Sequence, residues 1–279
     1  MSRAGAPHAP TLYAESPDGV LIAYRVHDVD QDGGDHDGGH DGGHDGAADG
    51  AGAGLPPVLL VHGFASDASV TWEGTGWIAA LGDARRASIT LDLRGHGASD
   101  KPVDAEAYAP ERLGADLVAV LDSAAVEVVD VVAYSMGNRV VSAFAASAPE
   151  RVRRVVVAGA GPNELFASWN LDEARAVLLR DEGSSDPLIE QVLRPAIAAG
   201  ADREALLAVI EGVAGAPLSI PGDIPVLFVA GENDPVPAGV RELARDRGAD
   251  FVSIPGRDHV STLTARTFKN AAIEFLAER

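Results

Sequence analysis

The residue best placed for covalent chemistry in this 279-residue chain is a serine in the stretch Ala133-Tyr134-Ser135-Met136-Gly137. An apolar, β-branched run from Val128 to Val132, broken only by Asp130, precedes it. Asn138 to Ala148 follow, with apolar residues at helical spacing. A serine between small residues where a strand turns into a helix is the arrangement of a nucleophile elbow, usually written Gly-x-Ser-x-Gly. Here Ala133 stands at the first glycine position and Gly137 keeps the second. A serine hydroxyl is a weak nucleophile at neutral pH, so a base must take its proton as it attacks. Histidine, with a pKa of about 6.5, suits that task. A carboxylate then fixes the imidazole tautomer and stabilises the imidazolium. The chain has no cysteine, which excludes thiolate nucleophiles, disulfides and cysteine metal sites together.

The elements that must carry this serine alternate between strand and helix. A β-hairpin is predicted over Thr11 to Val29, turning at Ser16-Pro17-Asp18-Gly19. Further strands are predicted at 57–61, 87–91, 128–132, 152–157, 225–230 and 250–254. Helices are predicted at 71–81, 110–121, 138–148, 240–246 and 263–276, the first weakened by Gly74 and Gly76. This alternation predicts an α/β fold with a mostly parallel sheet of about eight strands and helices on both faces. Gly161 to Gly222 interrupts it. That stretch has no strand pattern and predicts three helices, at 171–182, 187–199 and 202–213. The expected organisation is a core of residues 1–160 and 223–279 with a helical cap of residues 161–222.

The formal net charge is −20, from 42 acidic and 22 basic residues, which argues against a nucleic-acid partner and would weakly repel anionic substrates. Part of that charge is local, in Asp28 to Asp49. Gln31 to Gly54 is low complexity, and Gly38-Gly39-His40-Asp41 repeats as Gly42-Gly43-His44-Asp45. His36, His40 and His44 would share one face of a helix, but the glycines disfavour that helix. The tract reads as a flexible linker extending a loop outside the catalytic core, and no metal is expected. Met1 to Pro10 has one arginine and no apolar core, so it does not read as a secretory signal. No run of about 18 apolar residues is present to span a membrane. The expected location is the cytoplasm.

Four further motifs stand at loops after predicted strands. His62-Gly63-Phe64 follows the third strand and Asp92-Leu93-Arg94-Gly95-His96-Gly97 the fourth. Gly231-Glu232-Asn233-Asp234-Pro235-Val236-Pro237 and Gly256-Arg257-Asp258-His259 follow the last two. In this order, with the serine turn after the fifth strand, the chain resembles serine hydrolases of the α/β-hydrolase superfamily over nearly its whole length. The resemblance implies Ser135 as nucleophile, His259 as base and then acid, and Asp234 as the orienting carboxylate. His8, His27, His36, His40 and His44 lie in the tail, the hairpin or the linker, and His62 and His96 belong to other motifs. Glu232, Asp258 and the Asn163-Glu164 pair compete with Asp234, which directly follows its strand and precedes a proline.

The resemblance also implies an oxyanion hole from the backbone N–H groups of Phe64 and Met136, with the Arg94-Gly95-His96-Gly97 turn as support. Trp72, Trp77, Phe166 and Trp169 are expected to line an apolar substrate pocket. The implied activity is hydrolysis of small to medium, mostly apolar carboxylic esters, without cofactor or metal. Carbon–carbon bond hydrolases of aromatic catabolism share the same triad. Ligand sensors have also been built on this scaffold, so the fold alone does not decide. Haloalkane dehalogenases and epoxide hydrolases of the superfamily use an aspartate where Ser135 stands, which argues against both.

Overall fold

The computed structural model describes residues 9–29 and 54–279. The histidine-bearing part of the glycine-rich tract, with His36, His40 and His44, lies outside the described residues. The strands are β1 (Leu12–Glu15), β2 (Leu21–His27), β3 (Val58–Val61), β4 (Ser88–Leu91), β5 (Val129–Tyr134), β6 (Val152–Ala158), β7 (Val226–Gly231) and β8 (Asp250–Ile254). They form one sheet in the order β1-β2-β4-β3-β5-β6-β7-β8. The hairpin β1–β2 and its pairing with β4 are antiparallel, and every other pairing is parallel.

Parallel strands covered on both faces read as continuous apolar runs. Accordingly β3 and β5 are buried at every position. The aspartate within β5 is explained by its partners: Asp130 is buried between the guanidinium groups of Arg86 and Arg153. Alternate residues of β5 face opposite layers. Val131 and Ala133 join an apolar cluster with α2 (Pro110–Ser123) and α3 (Gly137–Ser147). Val132 and Tyr134 join a second cluster with α1 (Trp77–Asp83) and the last helix, which spans Arg266–Ala277.

The predicted helix at 71–81 is broken in two. A π-helical turn covers Ser69–Glu73, and α1 begins only at Trp77. Gly76 between them has φ +80°, a left-handed conformation that glycine adopts without penalty.

Between β6 and β7 stand α4 (Leu171–Arg180), α5 (Pro187–Ala198) and α6 (Arg203–Val213). Asn170, Asp186 and Asp202 each cap the N-terminus of one of them, accepting bonds from the first-turn N–H groups. Their apolar faces, including Val177, Leu193, Leu206 and Val209, belong to the same cluster as α2 and α3. After β7 come α7 (Val240–Arg247) and, after β8, α8 (Arg266–Ala277). The chain order therefore brings the loops after β3, β5, β6, β7 and β8 to one edge of the sheet.

Candidate active site

Ser135 occupies the turn between β5 and α3 with φ +52°, a left-handed conformation rare for a residue with a side chain. The turn is held by its backbone. Ser135 N–H donates to Ala158 O at 2.9 Å, and Asn138 Nδ2 donates to both Ser135 O and Ala158 O. α3 passes so close to β3 that a Cβ on Gly137 would lie 2.4 Å from His62 O. A Cβ on Gly63 would lie 3.0 Å from that of Ser135. Ala133, at the first glycine position, is fully buried in β5 between Val61 and Val157 and needs no such exemption.

Ser135 lies in a hydrogen-bonded line. Its Oγ is 3.1 Å from His259 Nε2, and His259 Nδ1 is 2.8 Å from Asp234 Oδ2. A carboxylate only accepts, so His259 carries its proton on Nδ1 and turns the Nε2 lone pair toward the serine hydroxyl. The Asp234 side chain is fully buried, and its other oxygen accepts from Val236 N–H. Tyr134 Oη donates to the backbone oxygen of His259 at 2.5 Å, and its ring lies 5.2 Å from the imidazole.

The competing acids are engaged elsewhere. Asp258 caps the following turn, accepting from Val260 N–H, Ser261 N–H and Ser261 Oγ. Glu232 accepts from Gly256 N–H. Glu164 accepts from Phe166, Ala167 and Gly215 N–H.

Among the described residues, neither the Phe64 nor the Met136 backbone N–H has an acceptor within the protein. Both residues line the cavity with Ser135. Met136 directly precedes α3, so its N–H sits at the positive end of the helix dipole. The Phe64 loop is pinned from below. Ala65, at φ +53°, donates its N–H to His96 Nε2 at 3.1 Å, and His96 Nδ1 donates to Arg94 O. His62 is arranged alike, accepting from Leu93 N–H and donating to Gly63 O. Both imidazoles are therefore neutral with the proton on Nδ1. Burial depresses both pKa values; that of His96 falls to about 3, with the neighbouring His62 also opposing its charge. Arg94 points away from the site and is fully engaged by Asp116, Asp18 and Ala107 O. Tyr134, His62 and His96 lie within the motifs and Asn138 directly after the serine turn, but only packing reveals that they support the loops.

A cavity of about 120 Å³ opens on Ser135 and His259. Its walls include Phe64, Met136, Leu165, Phe166, Val192 and Val236, which are apolar. A wider groove of about 840 Å³ meets it at His259 and runs beside Leu188, Gln191 and Pro195 of α5. Of the four aromatic residues expected to line the pocket, Phe166 does. Trp169 stands behind it, with ring centroids 5.0 Å apart. Trp72 and Trp77 do not. Both are fully buried on the other face of the sheet, where Trp77 packs on Phe268 and donates from Nε1 to Leu263 O. The break at Gly74–Gly76 lets the chain turn down beside α8 instead of running along the site. Among the described residues, no group of three or more metal-binding side chains is gathered.

Residues 56–183 match a family model described as alpha/beta hydrolase fold. The chain is 29% identical over 215 residues to 3-oxoadipate enol-lactonase 2 of Acinetobacter baylyi, a match covering 68% of this chain and 78% of that protein. It is 34% identical over 108 residues to a 2-hydroxymuconate semialdehyde hydrolase of Pseudomonas sp., covering 39% and 37% respectively. The chain spans less than half the length of other curated relatives, from 48% down to 22%, and these include epoxide hydrolases. A solved hydrolase from Pseudomonas aeruginosa superposes with a TM-score of 0.72 at 24% identity, over 98% of this chain and 100% of that one. With its sheet order and serine turn, the chain has the α/β-hydrolase fold.

Proposed function

We propose that this protein hydrolyses carboxylic esters through an acyl-serine intermediate. The observation that carries the reading is the line Asp234–His259–Ser135, with separations of 2.8 and 3.1 Å, beside two unpartnered backbone N–H groups. Ser135 Oγ attacks the ester carbonyl carbon while His259 Nε2 takes its proton. The N–H groups of Phe64 and Met136 receive the negative charge that develops on the carbonyl oxygen. His259 then returns the proton to the departing alkoxide, which leaves as an alcohol. Water enters, gives a proton to Nε2 and adds to the acyl carbon. Collapse releases the acid and restores the serine hydroxyl. The buried Asp234 holds the imidazole in the required tautomer throughout.

The shape of the site divides the substrate at the reacting carbon. The smaller, mostly apolar cavity suits the acyl group, and the wider groove beside α5 suits the leaving alcohol. An enol-lactone is a cyclic ester, so the match to the enol-lactonase over 215 residues supports the same chemistry. The relative named as a semialdehyde hydrolase supports a second reading, cleavage of a carbon–carbon bond by the same three side chains.

A panel of 4-nitrophenyl esters of increasing acyl length tests the proposal. Wild-type turnover is expected for short chains, and Ser135→Ala is expected to lose on the order of 10⁴-fold or more in kcat. A fluorophosphonate probe should label wild type and spare the variant. No turnover together with an unlabelled Ser135 would sink the reading. Faster cleavage of a vinylogous 1,5-diketone than of any ester would favour carbon–carbon hydrolysis.

A further inference from the structure

Four arginines are buried among the described residues: Arg86, Arg94, Arg139 and Arg154. Three of them hold a carboxylate. Arg86 pairs with Asp130, Arg94 with Asp116 and Asp18, and Arg154 with Glu278. Arg139 is the exception. It lies in the first turn of α3, four residues after Ser135, and is 4% exposed. Its Nη2 donates to Gly161 O at 2.6 Å and Asn163 O at 2.9 Å, while Nη1 is buried without a hydrogen-bond partner. Glu164 is the acid whose field reaches it, but that carboxylate is already bound by three backbone N–H groups and makes no ion pair with it. Arg139 borders the same cavity as Ser135.

A guanidinium stays charged inside a protein, and a buried charge without a counter-ion is costly. The cost is recovered if the counter-ion arrives with the substrate. We infer that Arg139 receives a carboxylate at the far end of the substrate's acyl group, so that the preferred substrates are half-esters of short dicarboxylic acids or lactones that bear a free carboxylate. Met136, Leu165 and Phe166 would enclose the methylene chain between the two ends. The small volume of the cavity, about 120 Å³, favours a short chain between the two ends. The inference rests on the ester-hydrolase reading for its chemistry but adds a binding site that the reading does not require.

The test compares two methyl esters of one shape by pH-stat: monomethyl glutarate and methyl 5-methylhexanoate, in which an isopropyl group replaces the carboxylate. A hydrogen bond to a charged group predicts a preference of about tenfold to hundredfold in kcat/KM for the half-ester in wild type. In Arg139→Met that ratio should fall to about one or below. Arg139→Lys, which keeps the charge without the fork, should retain part of it. Equal or better hydrolysis of the neutral ester by wild type overturns the inference even if Arg139→Met does not fold. So does an undiminished ratio in a folded Arg139→Met. Turnover of neither methyl ester nor any 4-nitrophenyl ester would instead count against the hydrolase reading. Calorimetry then decides the subsite: Ser135→Ala should bind monomethyl glutarate and Ser135→Ala with Arg139→Met should not, and equal binding by both refutes it.

Discussion

Two chains of aromatic contacts run to the site from opposite faces of the sheet, and they do different work. The upper one passes from Trp169 through Phe166 and Phe64 to His96 and His62, with successive ring centroids 5.0, 4.9, 6.0 and 5.3 Å apart. The lower one passes from Trp72 through Trp77, Phe268 and Tyr134 to His259, at 5.5, 4.8, 6.4 and 5.2 Å. The upper chain begins beside the helical insertion, forms a wall of the cavity and ends under the Phe64 loop. The lower chain begins in the core and ends against the imidazole that faces Ser135. Of the upper rings Phe64 and Phe166 border the cavity; of the lower rings only His259 does. Truncations above should therefore alter selectivity, and truncations below should alter stability.

Trp77→Ala gives the largest expected change, a loss of about 3–5 kcal/mol in unfolding free energy by denaturant titration. Turnover per folded molecule should stay within about twofold of wild type, since no lower ring except His259 borders the cavity. A large fall in kcat at full folding would mean that the lower chain positions His259 instead of only supporting it.

Acid should attack the upper chain. Above about pH 6.5, the ordinary histidine value, folded and unfolded states both leave His62 and His96 neutral. Below it the unfolded chain takes up protons that the fold refuses, down to about pH 3 for His96. The stabilisation is thus complete above the unfolded value and is lost as pH falls toward the folded one. The loss should reach on the order of 3 kcal/mol by pH 4. His96→Gln, whose amide oxygen can accept from Ala65 N–H but does not titrate, should flatten that slope. An unchanged slope would remove the histidines from the account.

Phe166→Ala should raise KM for short acyl esters about tenfold while costing less stability than Trp77→Ala, because the lost ring faces a cavity. The smallest effect expected is that of Tyr134→Phe. It removes the bond to His259 O and should cost about 1 kcal/mol, read as a modest fall in kcat with little change in KM.

The two chains also show where sequence patterning reaches and where it stops. The strand-to-helix junction at Ser135 and the loops bearing Asp234 and His259 could be read because each motif sits at the end of an apolar run. The parallel sheet brings such ends to one edge. The face on which Trp72 and Trp77 fall could not be read, because it depends on a three-residue break at Gly74–Gly76 inside an otherwise helical pattern. Arg139 escaped notice for a related reason. It lies within the apolar periodicity of α3, and nothing in the spelling of Gly137 to Ser147 says that this guanidinium, unlike that of Arg86 or Arg94, meets no carboxylate. Pairing across 20 or more residues is a property of the fold, not of the local string.

The two small residues flanking Ser135 differ in what they tolerate. Gly137 is barred from any side chain by His62 O at 2.4 Å, whereas Ala133 already carries one within a filled strand position. A text pattern requiring glycine at both places passes over this chain; one requiring any small residue and then glycine keeps it. Relatives that drifted to alanine at the first position would vanish from the stricter search with the serine's geometry intact. A census of such enzymes built on it would undercount them for a reason unrelated to chemistry.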